Sequence, residues 1–181
     1  MRNLHCRALS LSSALFALLV AASLVAATPS AASGASITGS AAYQQMTKFA
    51  GEWTGTTQTP GGSPVSVVYK VTSAGKTVME TLFPGTDHEM VSMYHMDGPE
   101  LVMTHYCSAG NQPHLRFNES KSTPNEFVFD FVGGTNLDPA RDGHIHGLVL
   151  RLKSNNQMEA EWTGYKDGKK SDVMLFLLSR K

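Results

Sequence analysis

The sequence predicts an all-β protein, an antiparallel up-and-down β-barrel of about ten strands with a short helix before the first strand. From Glu52 onward, short runs rich in valine, threonine and aromatic residues alternate with turns of glycine, proline, asparagine and aspartate. Within the runs, apolar and polar residues alternate as they do in half-buried strands. Most links are short, which suits antiparallel neighbours. Closure into a barrel removes exposed edges, but alternation alone leaves an open sandwich as the alternative.

Residues 1–27 have the pattern of a signal peptide. Arg2, His5 and Arg7 precede an apolar run, Ala8–Ala27, which ends in small residues suited to cleavage by signal peptidase. Because the run approaches the length of a membrane span, a single-pass anchor is the alternative. The serines that interrupt the run favour cleavage. We therefore expect an exported protein, periplasmic or secreted, that keeps no stable membrane span after cleavage.

Residues 28–40 predict a flexible linker, because they consist mainly of alanine, serine, glycine and threonine and have little to bury. The barrel domain then covers residues 41–181. A short helix is predicted over Ser40–Ala50, where apolar residues recur at helical spacing and Ser40 is suited to the N-cap.

Turn signals divide the rest of the chain into ten predicted strands. Gly133–Gly143 is the longest interruption, and long ordered loops are often functional. The strands cover Glu52–Thr59, Val65–Thr72, Lys76–Phe83, His88–Met96, Leu101–Cys107, His114–Ser120, Glu126–Val132, His144–Lys153, Met158–Tyr165 and Ser171–Ser179.

Charge and cysteine content restrict the class of protein. The chain has 15 Lys+Arg and 15 Asp+Glu, and its zero formal charge without a basic run argues against nucleic-acid binding. If Cys6 leaves with the signal peptide, Cys107 is the only cysteine of the mature chain. An intramolecular disulfide is then impossible, so the fold must depend on its core.

The strand that begins at Leu101 points to an interior with a polar patch. Alternation places Leu101, Met103, His105 and Cys107 on one face, which begins apolar and ends in an imidazole and a thiol. This face indicates a buried wall with functional groups at one end.

The two preceding strands are expected to extend this face. A four-residue turn at Pro84–Asp87 pairs Glu80 with Val91, which points Glu80 and His95 inward. A three-residue loop, Asp97–Pro99, then carries the same face on to Leu101, whereas a two-residue loop reverses it. We favour the longer loop because it keeps the leucine and the methionines together, with Glu80 and His105 on either side of Val91.

Two later strands are expected to add polar groups to the interior. Leucines alternate with Arg151 and Lys153 in the eighth strand, so the leucines must face inward and His144 and His146 with them. By the same alternation, Trp162 faces inward in the ninth strand.

Short signatures at the two ends of the domain resemble the calycin superfamily of lipocalins and fatty-acid-binding proteins. The residues are Gly51-Glu52-Trp53 in the first strand and Ser179-Arg180 in the last. The resemblance implies that Trp53 lies at the closed end of a barrel and that Arg180 crosses its indole ring. It also implies an interior cavity.

Gly51-Glu52-Trp53-Thr54-Gly55 is also similar to the opening of nitrobindin-type haem barrels, which have ten strands, although Thr57 stands where they have another glycine. The segment from Met79 to His146 resembles exported bacterial barrels of unassigned function.

These features predict that the barrel binds a small, mostly apolar or amphipathic molecule in its interior. One alternative is a metal or haem barrel, because imidazole and thiolate together suit zinc or copper, with His105, Cys107, His144 and His146 as candidate ligands. Another is a hydrolase or isomerase that uses His105 and Glu80, although no common nucleophile, phosphate-loop or zinc-helix motif is present. The sequence determines neither a cofactor nor an oligomeric state. The candidate ligand-binding residues are Glu80, His95, His105, Cys107, His144, His146 and Trp162.

Overall fold

A computed structural model describes residues 35–59 and 61–181 of the chain. The predicted signal peptide and most of the predicted linker lie outside these residues. The described part is a closed barrel of ten antiparallel strands, preceded by one short helix, so the predicted fold class is confirmed. Such a barrel fits a calycin-like fold.

Each strand pairs with the next along the chain, and the last pairs with the first, which closes the barrel and excludes the open sandwich. The strands are β1 (Gly51–Thr57), β2 (Pro64–Thr72), β3 (Thr77–Leu82), β4 (Met90–Asp97), β5 (Glu100–Tyr106), β6 (Gln112–Phe117), β7 (Glu126–Thr135), β8 (His144–Ser154), β9 (Gln157–Lys166) and β10 (Lys169–Arg180).

The helix begins inside the predicted linker and packs across one end of the barrel. Helix α1 covers Gly39–Met46 and continues as a short 3-10 turn, Thr47–Phe49. Its N-cap is Thr38, whose hydroxyl accepts a hydrogen bond from the Ala41 amide at 3.3 Å, so the prediction of Ser40 as the cap was wrong. We call the barrel end covered by this helix the helix end. The opposite end, with the 107–111 turn and the 136–143 loop, is the loop end.

The helix end is held by a tryptophan and an arginine. The Trp53 indole nitrogen donates to the Phe49 carbonyl at 2.8 Å, and the Arg180 guanidinium lies 4.4 Å from the centre of the Trp53 ring. Arg180 also donates to the carbonyl groups of Ala50 at 2.8 Å and Lys48 at 2.9 Å. The last strand is thereby tied to the segment that joins the helix to β1, in the geometry that the calycin resemblance implies.

The glycine that opens β1 is required by this arrangement. Gly51 has a φ of +130°, and a Cβ atom there would lie 3.0 Å from the Arg180 side chain. A side chain at this position would therefore strain the backbone and crowd the guanidinium.

The register of β4 differs from the prediction. Glu80 pairs with Ser92 instead of Val91, and a two-residue turn joins β4 to β5, so that Asp97 pairs with Glu100. Tyr94 and Ser92 therefore face the interior, while His95 is exposed and its predicted inward position was wrong. The predicted β3–β4 register and the predicted β4–β5 loop length were each wrong by one residue. Because each error reverses the face, the inward face of β5 was still predicted correctly. The inward register buries the large Tyr94 ring, which the predicted one would have left on the surface.

A bulge in β8 reverses a second predicted face. Ile145 pairs with Gly164 and Gly147 with Thr163, which leaves His146 as the extra residue. Because directly opposed residues share a face, Ile145 points inward and His144 lies on the outer face with its partner Tyr165. The predicted alternation of His144 and His146 was therefore wrong, although the His144 side chain is buried, with 5% exposed.

Within residues 35–59 and 61–181, no helix is both long and apolar enough to cross a membrane.

Candidate functional site

A row of polar side chains crosses the barrel interior on four adjacent strands. Tyr69 of β2 pairs with Glu80 of β3, Glu80 pairs with Ser92 of β4, and Ser92 pairs with His105 of β5. Because paired residues point to the same side of a sheet, strand pairing alone brings these groups together. All four side chains are buried. The sequence predicted that Glu80 and His105 belong to one polar group but placed Val91, instead of Ser92, between them.

Two tyrosines clamp the Glu80 carboxyl group. The Tyr69 hydroxyl donates to one oxygen at 2.6 Å and the Tyr94 hydroxyl to the other at 2.7 Å. Burial raises the pKa of Glu80, and hydrogen bonds from Tyr69, Tyr94 and Ser92 offset part of that rise. Burial and the adjacent carboxylate hold the pKa values of both tyrosines well above their ordinary value.

His105 lies at the end of the row nearest the loop end. Its Nδ1 atom is 3.0 Å from the Ser92 hydroxyl, and the side chain is only 1% exposed. Burial lowers the pKa of His105 from 6.5 to about 4. The imidazole is therefore neutral at neutral pH. Its ring contacts that of Trp162, with 5.2 Å between centres and a tilt of 45°.

Three buried polar atoms of the described residues have no hydrogen-bond partner in the protein. They are His105 Nε2, Trp162 Nε1 and Asn111 Oδ1. Buried polar atoms are nearly always paired, and those that are not indicate strain or a site that another molecule completes. The rings that carry the first two of these atoms are in contact.

A cavity of about 400 Å³ opens at the loop end above this pair. It is lined by Cys107, Ala109, Gly143, His144, Ile145, Gly164, Tyr165, Lys166, Ser171 and Asp172. Cys107 and Gly164 are each two residues along the strand from His105 and Trp162, a separation of about 7 Å. The cavity, which we call the mouth, therefore lies one layer of side chains above the two unpaired nitrogens.

His144 and His146 form a second cluster, in which His144 is buried and also lines the mouth. His144 Nε2 is 3.0 Å from His146 Nδ1, and His144 Nδ1 is 2.9 Å from the Asp142 carbonyl. His146 stacks on Tyr165 at 3.8 Å between ring centres. Burial and the neighbouring His144 lower the pKa of His146, against an opposing effect of Asp130.

The candidate metal ligands are consequently divided among three places. His105 is in the interior, Cys107 and His144 line the mouth, and His146 stacks on Tyr165 beside His144. In the described part of the chain, no group of three or more histidine, cysteine, aspartate or glutamate side chains is placed to hold a metal ion.

Haem does not fit the interior as the side chains are arranged. The nitrogen best placed to bind an iron, His105 Nε2, is buried, and the Trp162 ring lies against the imidazole where a porphyrin would need room.

The sequence did not identify Tyr69, Ser92 and Tyr94 as parts of a polar site. Alternation had already put Tyr69 on the face of the inward valines of β2, and only its role was missed. Ser92 and Tyr94 were missed because the predicted β4 register pointed them outward.

No known protein-family model matches the chain, and no curated protein is significantly similar to it. The functional proposal therefore depends on the side chains of the barrel itself.

Proposed function

We propose that this protein is an exported, calycin-type barrel that binds a small, mostly apolar molecule through the mouth at its loop end. His105 and Trp162, one layer of side chains below the mouth, hold the polar part of the ligand. The signal-peptide pattern of residues 1–27 supports export. The stacking of Arg180 on Trp53 supports the calycin assignment.

The pair of unpartnered nitrogens below the mouth is the observation that carries this proposal. Ligand pockets combine apolar walls with a few convergent polar groups, and the mouth volume of about 400 Å³ is within their usual range. His105 Nε2 and Trp162 Nε1 supply two such groups one layer of side chains below it. Because both atoms are buried, the ligand reaches them only after side chains of the mouth layer move aside.

A second cavity, of about 370 Å³, lies at the helix end and is a weaker candidate. Its lining includes Trp53 and Arg180, whose nitrogens already donate to backbone carbonyl groups. These polar groups serve the fold, whereas the pair at the loop end is available to a ligand.

Native mass spectrometry of the protein purified from its own source tests the proposal directly. We expect a retained organic mass that is released on denaturation. A chain that carries no organic mass, and that also binds no apolar probe, would contradict the proposal.

A matched pair of substitutions locates the binding site. Ala109 lines the mouth, and Ala41 is exposed on the helix at the opposite end. Ala109→Trp should fill the mouth and weaken binding of an apolar probe such as methoxynaphthalene by roughly tenfold or more, which calorimetry can measure. Ala41→Trp should leave its affinity unchanged. Equal affinities in the two variants would place the site elsewhere.

A further inference from the structure

We propose that the mouth is sensitive to pH and loses its ligand in acid, because a hydrogen bond between two histidines holds its rim. The histidine pair consists of His144, which lines the mouth, and His146 beside it. In the bonded geometry this pair can take up one proton but not two, so a second proton separates the rings and weakens binding. This inference rests on the proposed function and concerns the regulation of the same site.

The carbonyl group of Asp142 determines which nitrogens of the histidine pair carry protons. A carbonyl group only accepts, and His144 Nδ1 lies 2.9 Å from it, so Nδ1 must be the protonated nitrogen of His144. In a neutral ring Nε2 then has a lone pair, and its 3.0 Å hydrogen bond to His146 requires the proton to be on His146 Nδ1. Both nitrogens of His144 are thereby occupied, which leaves neither for a metal ion.

The first proton can bind to the pair without any change of geometry. It adds to the remaining lone pair, on His146 Nε2, and the hydrogen bond between the rings stays in place. A second proton must add to His144 Nε2, where it would meet His146 Nδ1–H across 3.0 Å with no acceptor between the two nitrogens. The charge already on the pair opposes it as well. The second proton therefore binds only when the two rings move apart.

His146 is the ring of the pair that can move, and its departure alters the wall of the mouth. Its side chain is partly exposed, whereas that of His144 is 5% exposed. The His146 ring is stacked on Phe131 at 4.6 Å and on Tyr165 at 3.8 Å between ring centres. Tyr165 and His144 both line the mouth, and His144 also holds the 136–143 loop through Asp142. Loss of the stack and of the bond between the rings therefore loosens two sides of the mouth.

The nearest carboxylate compensates the charge of His146 only in part. Asp130 of β7 favours the charged form of His146, but its carboxylate already accepts from Lys121 at 2.8 Å and from Asn118 at 2.7 Å. Burial, followed by the charge of His144, has the opposite effect and lowers the pKa of His146 from its ordinary value of 6.5. Proton uptake by the folded pair is therefore expected in acid, below the ordinary histidine range.

The other groups around the pair can balance one positive charge but not two. In the mouth and in the loop before β8, the titratable and charged residues are Cys107, Tyr165, Lys166, Asp172, Asp138, Arg141 and Asp142. Asp138 forms an ion pair with Arg141 at 3.0 Å. Together with Lys121 and Asp130, three cations stand against four carboxylates in these surroundings. The singly protonated pair is thus stabilised, and the doubly protonated pair is not.

Nitrogen NMR of the wild-type chain at neutral pH tests the hydrogen bond without any ligand. We expect both rings of the pair to be protonated at Nδ1, with a coupling across the hydrogen bond between His144 Nε2 and His146 Nδ1. A proton on Nε2 of either ring at neutral pH would overturn the inference.

Calorimetric titration of the full chain with methoxynaphthalene tests the effect on binding. We expect the wild-type affinity to fall by roughly tenfold between about pH 7.5 and about pH 4.5. In His146→Asn, the amide can donate to His144 Nε2 at neutral pH and, after rotation, can accept from its protonated form. This variant should lose less than about twofold over the same range. His95→Asn, a matched change at an exposed histidine, should lose as much as the wild type.

The outcomes of this titration separate the inference from the proposed function. A wild-type affinity that does not change with pH, or an equal loss in His146→Asn, would overturn the inference and leave the proposed function standing. An equal loss would assign the pH dependence to another group, such as Glu80 or His105, which the variant retains. If the probe binds at no pH, the proposed function fails and the inference fails with it. If His146→Asn does not fold, the wild-type tautomers decide.

Discussion

The two ends of the barrel differ in the hydrogen bonding of their buried polar groups. At the helix end, the Trp53 indole donates to Phe49 and the Arg180 guanidinium donates to two further carbonyl groups. At the loop end, the Trp162 indole and one nitrogen of His105 have no partner among the described residues. The indole N–H of Trp53 is thus hydrogen-bonded to the protein, whereas the indole N–H of Trp162 is not. We infer that the helix end supplies stability and that the loop end supplies binding.

The largest expected effect is the loss of the tryptophan at the helix end. Trp53→Ala should lower the free energy of unfolding by about 3–5 kcal/mol, because it removes a fully buried aromatic side chain and the surface on which Arg180 stacks. Denaturant unfolding measures this change. A cost below about 1 kcal/mol would show that the helix end is not the stabilising end.

The next effect is the pH dependence of stability that His105 produces. The folded pKa of His105, about 4, lies below its unfolded value of 6.5, so the unfolded chain binds protons first as pH falls. Its contribution to stability is complete above pH 6.5 and is lost as pH falls towards 4, by about 3 kcal/mol in total. Glu80 has the opposite sign, because its raised pKa makes the folded state take up the proton first.

His105→Gln isolates the histidine contribution from that of Glu80. The difference in unfolding free energy between the wild type and the variant at pH 7 should shrink as pH is lowered from 6.5 to 4. Parallel pH profiles for the two chains would show that His105 titrates normally and is not held in a buried site.

A matched substitution at both tryptophans sharpens the comparison. Trp53→Phe removes the 2.8 Å donor of the Phe49 carbonyl, which then keeps only a 3.5 Å contact from Arg180. It should cost about 1–3 kcal/mol more than Trp162→Phe, which removes an N–H that has no protein partner. Thermal and denaturant unfolding of both variants give the difference. Equal costs would mean that Trp162 has a partner in solution and that the two ends are alike.

The smallest effect concerns the strand whose register the sequence did not predict. His95 is exposed on the outer face of β4, so His95→Ala should change the free energy of unfolding by no more than about 0.5 kcal/mol. Ser92→Leu, on the opposite face of the same strand, would place an apolar group beside Glu80 and His105 and should be clearly destabilising. A larger cost at His95 would favour the longer β4–β5 loop.

Local pattern by itself determined the ten strands, the preceding helix and the inward faces of β3, β5 and β9. Alternation and turn residues are properties of neighbouring positions, so they can be read without knowing how the chain closes. The Gly51-Glu52-Trp53 and Ser179-Arg180 signatures likewise indicated the pair that meets at the helix end.

Only the tertiary structure decided which residues complete the site. Alternation says which side chains of one strand share a face, but the face that meets the core depends on turn lengths and bulges, and one extra residue reverses it. The pairing of Glu80 with Ser92 turned Ser92 and Tyr94 inward, and the bulge at His146 paired His144 with the outward Tyr165. Burial of the aromatic rings across the barrel selects these registers, and that energy comes from strands far apart in sequence.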